Sequence, residues 1–350
     1  MLPPWQNSLV MRAARREPVE RTPIWLMRQA GRYMAEYRTI RRQTTFLELC
    51  KNPRLCAEIM LTAVERLQVD AAILFSDLLV ILEPMGLQLE FTAGGGPLIH
   101  NPICQAADVD RLHELESMDR LAFVPEAVRQ TRAGLPEHLP LIGFAGAPFT
   151  LAAYAVEGGS SRDYRLAKSL MYADRGAWNA LTDRLARSAA LYLNAQIAAG
   201  AQLVQIFDSW VGCLGVDDYR EFALPATRRL IEALPAETPV IYFSTGNPAF
   251  LPLLRDIGGA RKNMVIGVDW RIPLNDAWQI LGDDIAVQGN LDPTVLLSTP
   301  DEIRLRAAAV LRQVRGRPGH IFNLGHGVLP QTPVENAIAL VEAVREMSLR

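Results

Sequence analysis

Short apolar runs rich in Val, Ile, Leu and Phe alternate along this chain with longer segments in which apolar residues recur at helical spacing. The short runs predict strands at Pro23 to Met27, Val69 to Phe75, Leu141 to Phe144, Gln202 to Phe207, Val240 to Phe243, Met264 to Val268, Ile285 to Gln288 and Ile321 to Asn323. The longer segments predict helices that include Pro53 to Gln68, Leu121 to Ala133, Trp178 to Ala199, Val216 to Leu234, Asp301 to Val314 and Pro333 to Met347. Strands separated by helices require right-handed parallel crossovers. Eight such units imply an α/β fold, a single (β/α)8 TIM-type barrel, with a doubly wound open sheet as the alternative. No Pro/Gly/Ser-rich linker interrupts the series, so residues 1–350 read as one barrel domain. The long interval from Gly86 to Pro140 holds two alternating runs, Leu87 to Phe91 and Leu98 to Ile99, around Gly94-Gly95-Gly96-Pro97. This predicts a hairpin insertion after strand 2; the glycine triplet precedes no helix, as a phosphate-cradling loop would.

Active sites of such barrels lie at the carboxyl ends of the strands. The eight runs are followed in turn by Arg28, Gln29 and Arg32; Ser76 and Asp77; Gly146, Ala147, Pro148 and then Tyr154; Asp208, Ser209 and Trp210; Ser244, Thr245, Gly246 and Asn247; Asp269 and Trp270; Gly289, Asn290 and Asp292; and Gly325, His326 and Gly327. Loops are polar for solubility alone, yet Asp77 and His326 directly after strongly apolar runs exceed that need. Arg28 and Arg32 present rigid donor forks that match a carboxylate or phosphate, and Gly31 between them lets the backbone turn or approach a ligand. Each residue also has a purely structural reading. The arginines then mark a strand end and a solvated helix start, Tyr154 a core aromatic on a helix face, Ser209 a turn or helix N-cap and His326 a structural histidine.

Composition narrows the chemistry. A chain of 350 residues, 49% hydrophobic and 21% charged, can bury a large core, and its net charge of -2 with both signs dispersed argues against a nucleic-acid partner. Cys50, Cys56, Cys104 and Cys213 lack disulfide or metal spacing, which points to a reducing cytoplasmic compartment. The five histidines are scattered, with no HExxH and no His-x-Cys, so no metal site is expected. The first residues carry no secretory pattern, no apolar run is long enough for a membrane, and Arg12, Arg15 and Arg16 read as part of a surface helix. Lys51, Lys168 and Lys262 fall on helices or the amino end of a strand, away from the predicted active face, which disfavours Schiff-base chemistry. No G-x-S-x-G elbow and no strand-borne G-x-G-x-x-G occurs. What remains is a pocket of arginines, one forward carboxylate, a tyrosine, a serine and a histidine, suited to a polyanion with a cationic or N–H-bearing centre.

Seven blocks in register carry a family resemblance: Met27-Arg28-Gln29-Ala30-Gly31-Arg32-Tyr33; Phe75-Ser76-Asp77; Phe144-Ala145-Gly146-Ala147-Pro148-Phe149-Thr150 with Tyr154 and Glu157-Gly158-Gly159; Phe207-Asp208-Ser209-Trp210; Gly267-Val268-Asp269-Trp270-Arg271; Gln288-Gly289-Asn290-Leu291-Asp292-Pro293; and Asn323-Leu324-Gly325-His326-Gly327. From about residue 8 onward the chain resembles the uroporphyrinogen decarboxylases. The resemblance implies a (β/α)8 barrel, a homodimer with facing clefts, and no cofactor. It also implies removal of the four acetate carboxylates of uroporphyrinogen III to give coproporphyrinogen III, on the route to haem and chlorophyll. By the same resemblance Asp77 and Arg28 are the catalytic candidates. Arg28, Gln29, Ala30, Gly31, Arg32, Arg41, Asp77, Tyr154, Ser209 and His326 are the substrate-binding ones. Ala35, where the family often has proline, and Cys213, where it commonly has a small residue, are the departures. Zinc- or corrinoid-dependent methyltransferases share the barrel but need a His-x-Cys pair, and a non-catalytic tetrapyrrole carrier would have no need of Asp77 with Arg28.

Overall fold

A computed structural model describes residues 3–92, 96–246 and 248–350. Seven parallel strands curl side by side: β1 (Ala72–Ile73), β4 (Leu141–Gly146), β5 (Leu203–Asp208), β6 (Val240–Ser244), β7 (Met264–Gly267), β8 (Ala286–Gln288) and β9 (His320–Ile321). The antiparallel pair β2 (Leu89–Thr92) and β3 (Gly96–Ile99) forms the predicted hairpin after β1, and Leu98 bridges to Gly159. Gly94, Gly95 and Asn247 lie outside the described residues.

The eighth stave is the segment 23–27, which closes the barrel between β9 and β1 but forms only one bridge, Ile24 to Phe322. The reason lies in where its amides go. Pro23 has none, Trp25 N donates to the Phe322 carbonyl at 3.4 Å, and the others donate to side chains: Ile24 N to Asp70 Oδ2 at 2.8 Å, Leu26 N to Gln29 Oε1 at 3.1 Å and Met27 N to Asn323 Oδ1 at 3.1 Å. Side-chain acceptors replace the ladder, so an extended, fully buried segment is not a regular strand. Inside the barrel Trp25 Nε1 donates to Gln288 Oε1 at 2.9 Å, and Gln288 Nε2 to Gln205 Oε1 at 3.1 Å, tying the closing segment across to β8 and β5.

The helices begin and end where local chemistry allows. Helix Pro53–Leu67 has Asn52 as its N-cap with Pro53 in the first turn, and ends on Gln68 in the left-handed region. Helix Arg175–Ala199 is capped by Asp174 and stops at Gly200, whose φ is 119°. Its Gln196 clamps the strand beneath, accepting from Phe144 N at 2.9 Å and donating to the Phe144 carbonyl at 3.0 Å. The continuous helix expected over Val216 to Leu234 is instead interrupted by a π-helical turn, Tyr219–Ala223, ahead of Pro225, which has no N–H to continue an α-helical ladder. The expected N-terminal surface helix, Leu9–Ala14, buries Val10, Met11, Ala13 and Ala14; its outward Arg12 pairs with Glu20 at 2.7 Å. Lys168 is also nearer the active face than its helix position suggested, since Nζ donates at 2.8 Å to the carbonyl of Cys213 in the loop after β5. Among the described residues no helix is long and apolar enough to cross a membrane.

Asp70 accepts from Ile24 N and from both Arg21 nitrogens, at 2.7 and 2.5 Å. Asp70→Ala is expected to cost about 3 kcal/mol, by unpairing a buried amide and a guanidinium together. Equilibrium urea unfolding checks this; a change within about 0.5 kcal/mol means the closure does not depend on Asp70.

Candidate active site

The closing segment delivers Arg28 to the barrel mouth in the left-handed region, at φ 63°, a conformation that costs a non-glycine residue about 1 kcal/mol. Two glycines make room for it. A Cβ at Gly31 would stand 2.8 Å from the Arg28 carbonyl oxygen, and one at Gly327 would stand 2.7 Å from Arg28 Cγ and 2.9 Å from Nε. The side chain therefore lies directly across the loop after β9. It reaches solvent through the cleft, yet burial of its guanidinium and repulsion from Arg32 lower its pKa, while Asp77 and Tyr154 act to raise it.

Asp77 follows β1, with Oδ1 accepting the Leu79 N–H at 2.9 Å. Burial pushes its pKa up to about 6, opposed by that amide, Arg28 and Arg32. The carboxylate is thus ionised at neutral pH but poorly solvated, with capacity to accept further hydrogen bonds. Tyr154, on helix Pro148–Glu157, shares this field; burial and the Asp77 charge push its phenol up to about 12, so it stays protonated. Its ring meets Trp210 edge-on at 5.8 Å.

His326 is held neutral. Burial, then the charges of Arg28 and Arg271, push its pKa down to about 4. Its Nδ1 accepts the Gly327 N–H at 2.8 Å, which leaves the proton on Nε2 as a free donor. Beneath these groups run rings from the ends of three strands: Phe144 to Phe207 at 5.7 Å, Phe207 to Phe243 at 6.1 Å, and Phe243 to His326 at 6.5 Å. One side wall is also aromatic, with Phe46 6.3 Å from Phe75 and 4.8 Å from Phe91.

Arg28, Arg32, Asp77, Tyr154 and His326 therefore form one electrostatic cluster. Ala30 is nearly buried in the turn between the arginines, and Gly31 is half-buried. Ser209 is half-buried after β5, its carbonyl accepting from Thr245 Oγ1 at 2.8 Å. Arg41 sits at the rim, donating to the Thr44 carbonyl and lying 5.9 Å from the Phe46 ring centroid. Gln29 is 0% exposed, its side-chain amide holding Leu26 N and the Ala71 carbonyl, and its own carbonyl accepts the Tyr33 hydroxyl at 2.7 Å. It positions the arginine turn from behind. The phenylalanine floor and the Trp210 side were not singled out from sequence as site residues. Their signal was present, because each phenylalanine is the last or nearly last residue of a predicted strand. Asp269, also at a strand end, is structural: it accepts from Gly246 N at 2.7 Å and pairs with Arg271 at 2.5 Å. Among the described residues no group of three His, Cys, Asp or Glu side chains is placed to hold a metal ion.

A TIM-type barrel with guanidinium groups and one poorly solvated carboxylate over an aromatic floor has the form of an enzyme cleft suited to an anionic, partly apolar ligand. The profile of the family described as Uroporphyrinogen decarboxylase (URO-D) matches residues 5–347. Relatives named uroporphyrinogen decarboxylase include one from Koribacter versatilis (strain Ellin345), 50% identical over 98% of this chain and 97% of its own. Another, from Sorangium cellulosum (strain So ce56), is 52% identical over 96% of this chain and 95% of its own. Among solved structures, a methyltransferase from Methanosarcina mazei superposes with a TM-score of 0.77 at 22% identity, over 97% of this chain and 98% of that one, a likeness of fold. The chain belongs to the uroporphyrinogen decarboxylase family.

Two outcomes follow from the packing and the charges. Gly327→Ala forces Arg28 aside, so kcat/KM is expected to fall about tenfold while the unfolding midpoint stays put; unchanged kinetics would mean Arg28 has another productive position. The raised pKa of Asp77 means that the folded state holds its proton more tightly than the unfolded chain, so stability falls as pH rises from the ordinary 3.8 through about 6. Asp77→Asn is therefore expected to be more stable than the parent, by an increment in urea unfolding that grows as pH rises from 3.8 to about 6 and levels off above that. A pH-independent difference would contradict the desolvation of Asp77.

Proposed function

We propose that this cleft decarboxylates uroporphyrinogen III, removing its four acetate carboxylates as carbon dioxide to give coproporphyrinogen III, without a cofactor. The observation that carries this reading is the shared field of Arg28, Asp77 and Tyr154 at the mouth of a barrel about half identical to enzymes of that name.

Each loss of carbon dioxide replaces a carboxylate by a hydrogen, so one proton enters, and the electron pair left by the broken C–C bond needs a sink. A pyrrole protonated on carbon is such a sink, because the ring becomes an iminium-like cation that accepts the pair. Asp77 is suited to accept the pyrrole N–H hydrogen bonds and to stabilise that cation where water is scarce, a contribution of about 3–4 kcal/mol. Arg28 and Arg32 would pair with acetate and propionate groups, Arg41 with an outer carboxylate, and the Ala30 and Gly31 amides would complete the turn. Arg28 is also the catalytic partner of Asp77 in this scheme, holding the reacting acetate. His326 would donate from Nε2 and Tyr154 from its phenol, with Ser209 on the opposite wall. The phenylalanine floor gives the macrocycle an apolar face to lie on. The chain acts as a single domain, in a homodimer, and free Cys50, Cys56, Cys104 and Cys213 suit the reducing cytoplasm.

The methyltransferase reading is favoured by fold alone, and zinc analysis separates it: one zinc per chain would count against decarboxylation. Anaerobic incubation with uroporphyrinogen III, followed by product chromatography, is expected to show stepwise loss of four carboxylates; their retention would sink the proposal. Asp77→Asn should lower kcat roughly 10²–10³-fold with KM little changed, and should abolish the fall of kcat/KM below about pH 6. Arg32→Ala should act mainly on KM, raising it about tenfold.

A further inference from the structure

Asp208 ends β5, one residue before Ser209, and is 0% exposed, with no cation paired to it among the described residues. Its oxygens are held by neutral groups: Thr150 Oγ1 donates to Oδ1 at 2.7 Å, the Tyr242 hydroxyl donates to Oδ2 at 2.7 Å, and the Thr150 backbone N–H adds to them. A hydroxyl has a single proton to give. Since Tyr242 gives its proton to Asp208, the Tyr219 hydroxyl, 3.1 Å from that of Tyr242, must be the donor of that pair. Since Thr150 gives its proton to Asp208, its lone pair accepts the Trp210 N–H at 3.3 Å. The acceptor-only carboxylate thereby orients every bond in the chain, from the π-helical turn that carries Tyr219 to the backbone of the loop after β5.

That loop is a wall of the cleft. The Trp210 indole packs edge-on against Tyr154 at 5.8 Å and tilted against Tyr164 at 5.6 Å. Hydroxyls left to themselves rotate, and a hydroxyl at Thr150 that turned toward Trp210 N would lose that contact. We propose that Asp208 is a positioning residue of this cleft, acting through Thr150 on the Trp210 amide and so setting where Tyr154 and Ser209 stand. A displacement of Tyr154 and Ser209, with the arginine turn untouched, should reduce rate rather than affinity, because reacting groups lose alignment while the carboxylate pairs persist.

The kinetic part of the test rests on the decarboxylase reading, and its optical part does not. Asp208→Asn puts a donor where only an acceptor stood, Thr150→Val deletes the relay at nearly constant volume, and Tyr242→Phe removes the far donor while leaving Thr150 and Trp210 joined. With uroporphyrinogen III under anaerobic conditions, the first two are expected to lower kcat about tenfold with KM within about threefold. Their combination should be no worse than either alone, and Tyr242→Phe milder than both. Tryptophan emission of Asp208→Asn should differ from the parent, and that difference should vanish when both carry Trp210→Phe. Additive losses in the double variant, a Tyr242→Phe effect equal to that of Thr150→Val, or an emission difference that survives Trp210→Phe would each overturn the assignment. Should Asp208→Asn fail to fold, the emission of Thr150→Val with and without Trp210→Phe decides. A parent enzyme that leaves uroporphyrinogen III unchanged would remove the decarboxylase reading and leave the optical test of Asp208 standing.

Discussion

Closure of the barrel by the segment 23–27 is the constraint on which the site depends. A regular strand there would satisfy its amides through a ladder on both sides; this segment uses Asp70, Gln29 and Asn323 instead. The substitution has a geometric result. Released from a ladder, the chain can turn sharply at its end, and Arg28 takes a left-handed conformation that points the chain back over Gly327. The backbone strain at Arg28 is thus supported by bonds made before and behind it, with Gln29 anchored on the Ala71 carbonyl just ahead of β1 and Met27 on Asn323.

The same turn governs the electrostatics. Arg28 lowers the pKa of His326 and counters the desolvation of Asp77, so one guanidinium helps keep a neutral imidazole on one side and an ionised carboxylate on the other. The neutral imidazole keeps one N–H to donate while the ionised carboxylate only accepts, so the two groups offer opposite hydrogen-bonding roles to the cleft. Neither pairing comes without cost. A half-buried carboxylate at the cleft is less well solvated than in the unfolded chain, and the closing segment and large apolar core stabilise the barrel against it.

Division of the cleft into an aromatic floor and a charged rim follows from strand geometry. Phe144, Phe207 and Phe243 come from adjacent parallel strands, Phe207 standing opposite both Gly146 and Phe243 in register, so their rings form a continuous row. Arginines, hydroxyls and the carboxylate come from the loops beyond, where the backbone is freer and water nearer. On the proposed function, a macrocycle with carboxylates around its edge would lie with its face on the rings and its edge toward the guanidinium groups.

Much of this was readable in the chain itself. Hydrophobic periodicity is a local property, so the strand runs, the hairpin built on Leu87 to Phe91 and Leu98 to Ile99 and the helix limits at Asn52 and Gly200 followed from neighbouring residues alone, whereas the helix expected from Trp178 starts three residues earlier, after its Asp174 cap. The polar residues after each run, Arg28, Asp77, Tyr154, Ser209 and His326 among them, were legible for the same reason, once the strands were taken as staves of one barrel. What the sequence could not state was which polar group answers which. Gln29 stands in the same motif as the two arginines, and only the fold turns it inward to Leu26 and Ala71. Asp208 and Asp77 look alike as acids ending apolar runs, yet one is sealed among hydroxyls and the other opens on the cleft. The closing segment reads as a strand but finds side chains in place of a ladder. Such distinctions rest on contacts between residues dozens to hundreds of positions apart, and a side chain's partner, burial and charge state exist only when the barrel has closed.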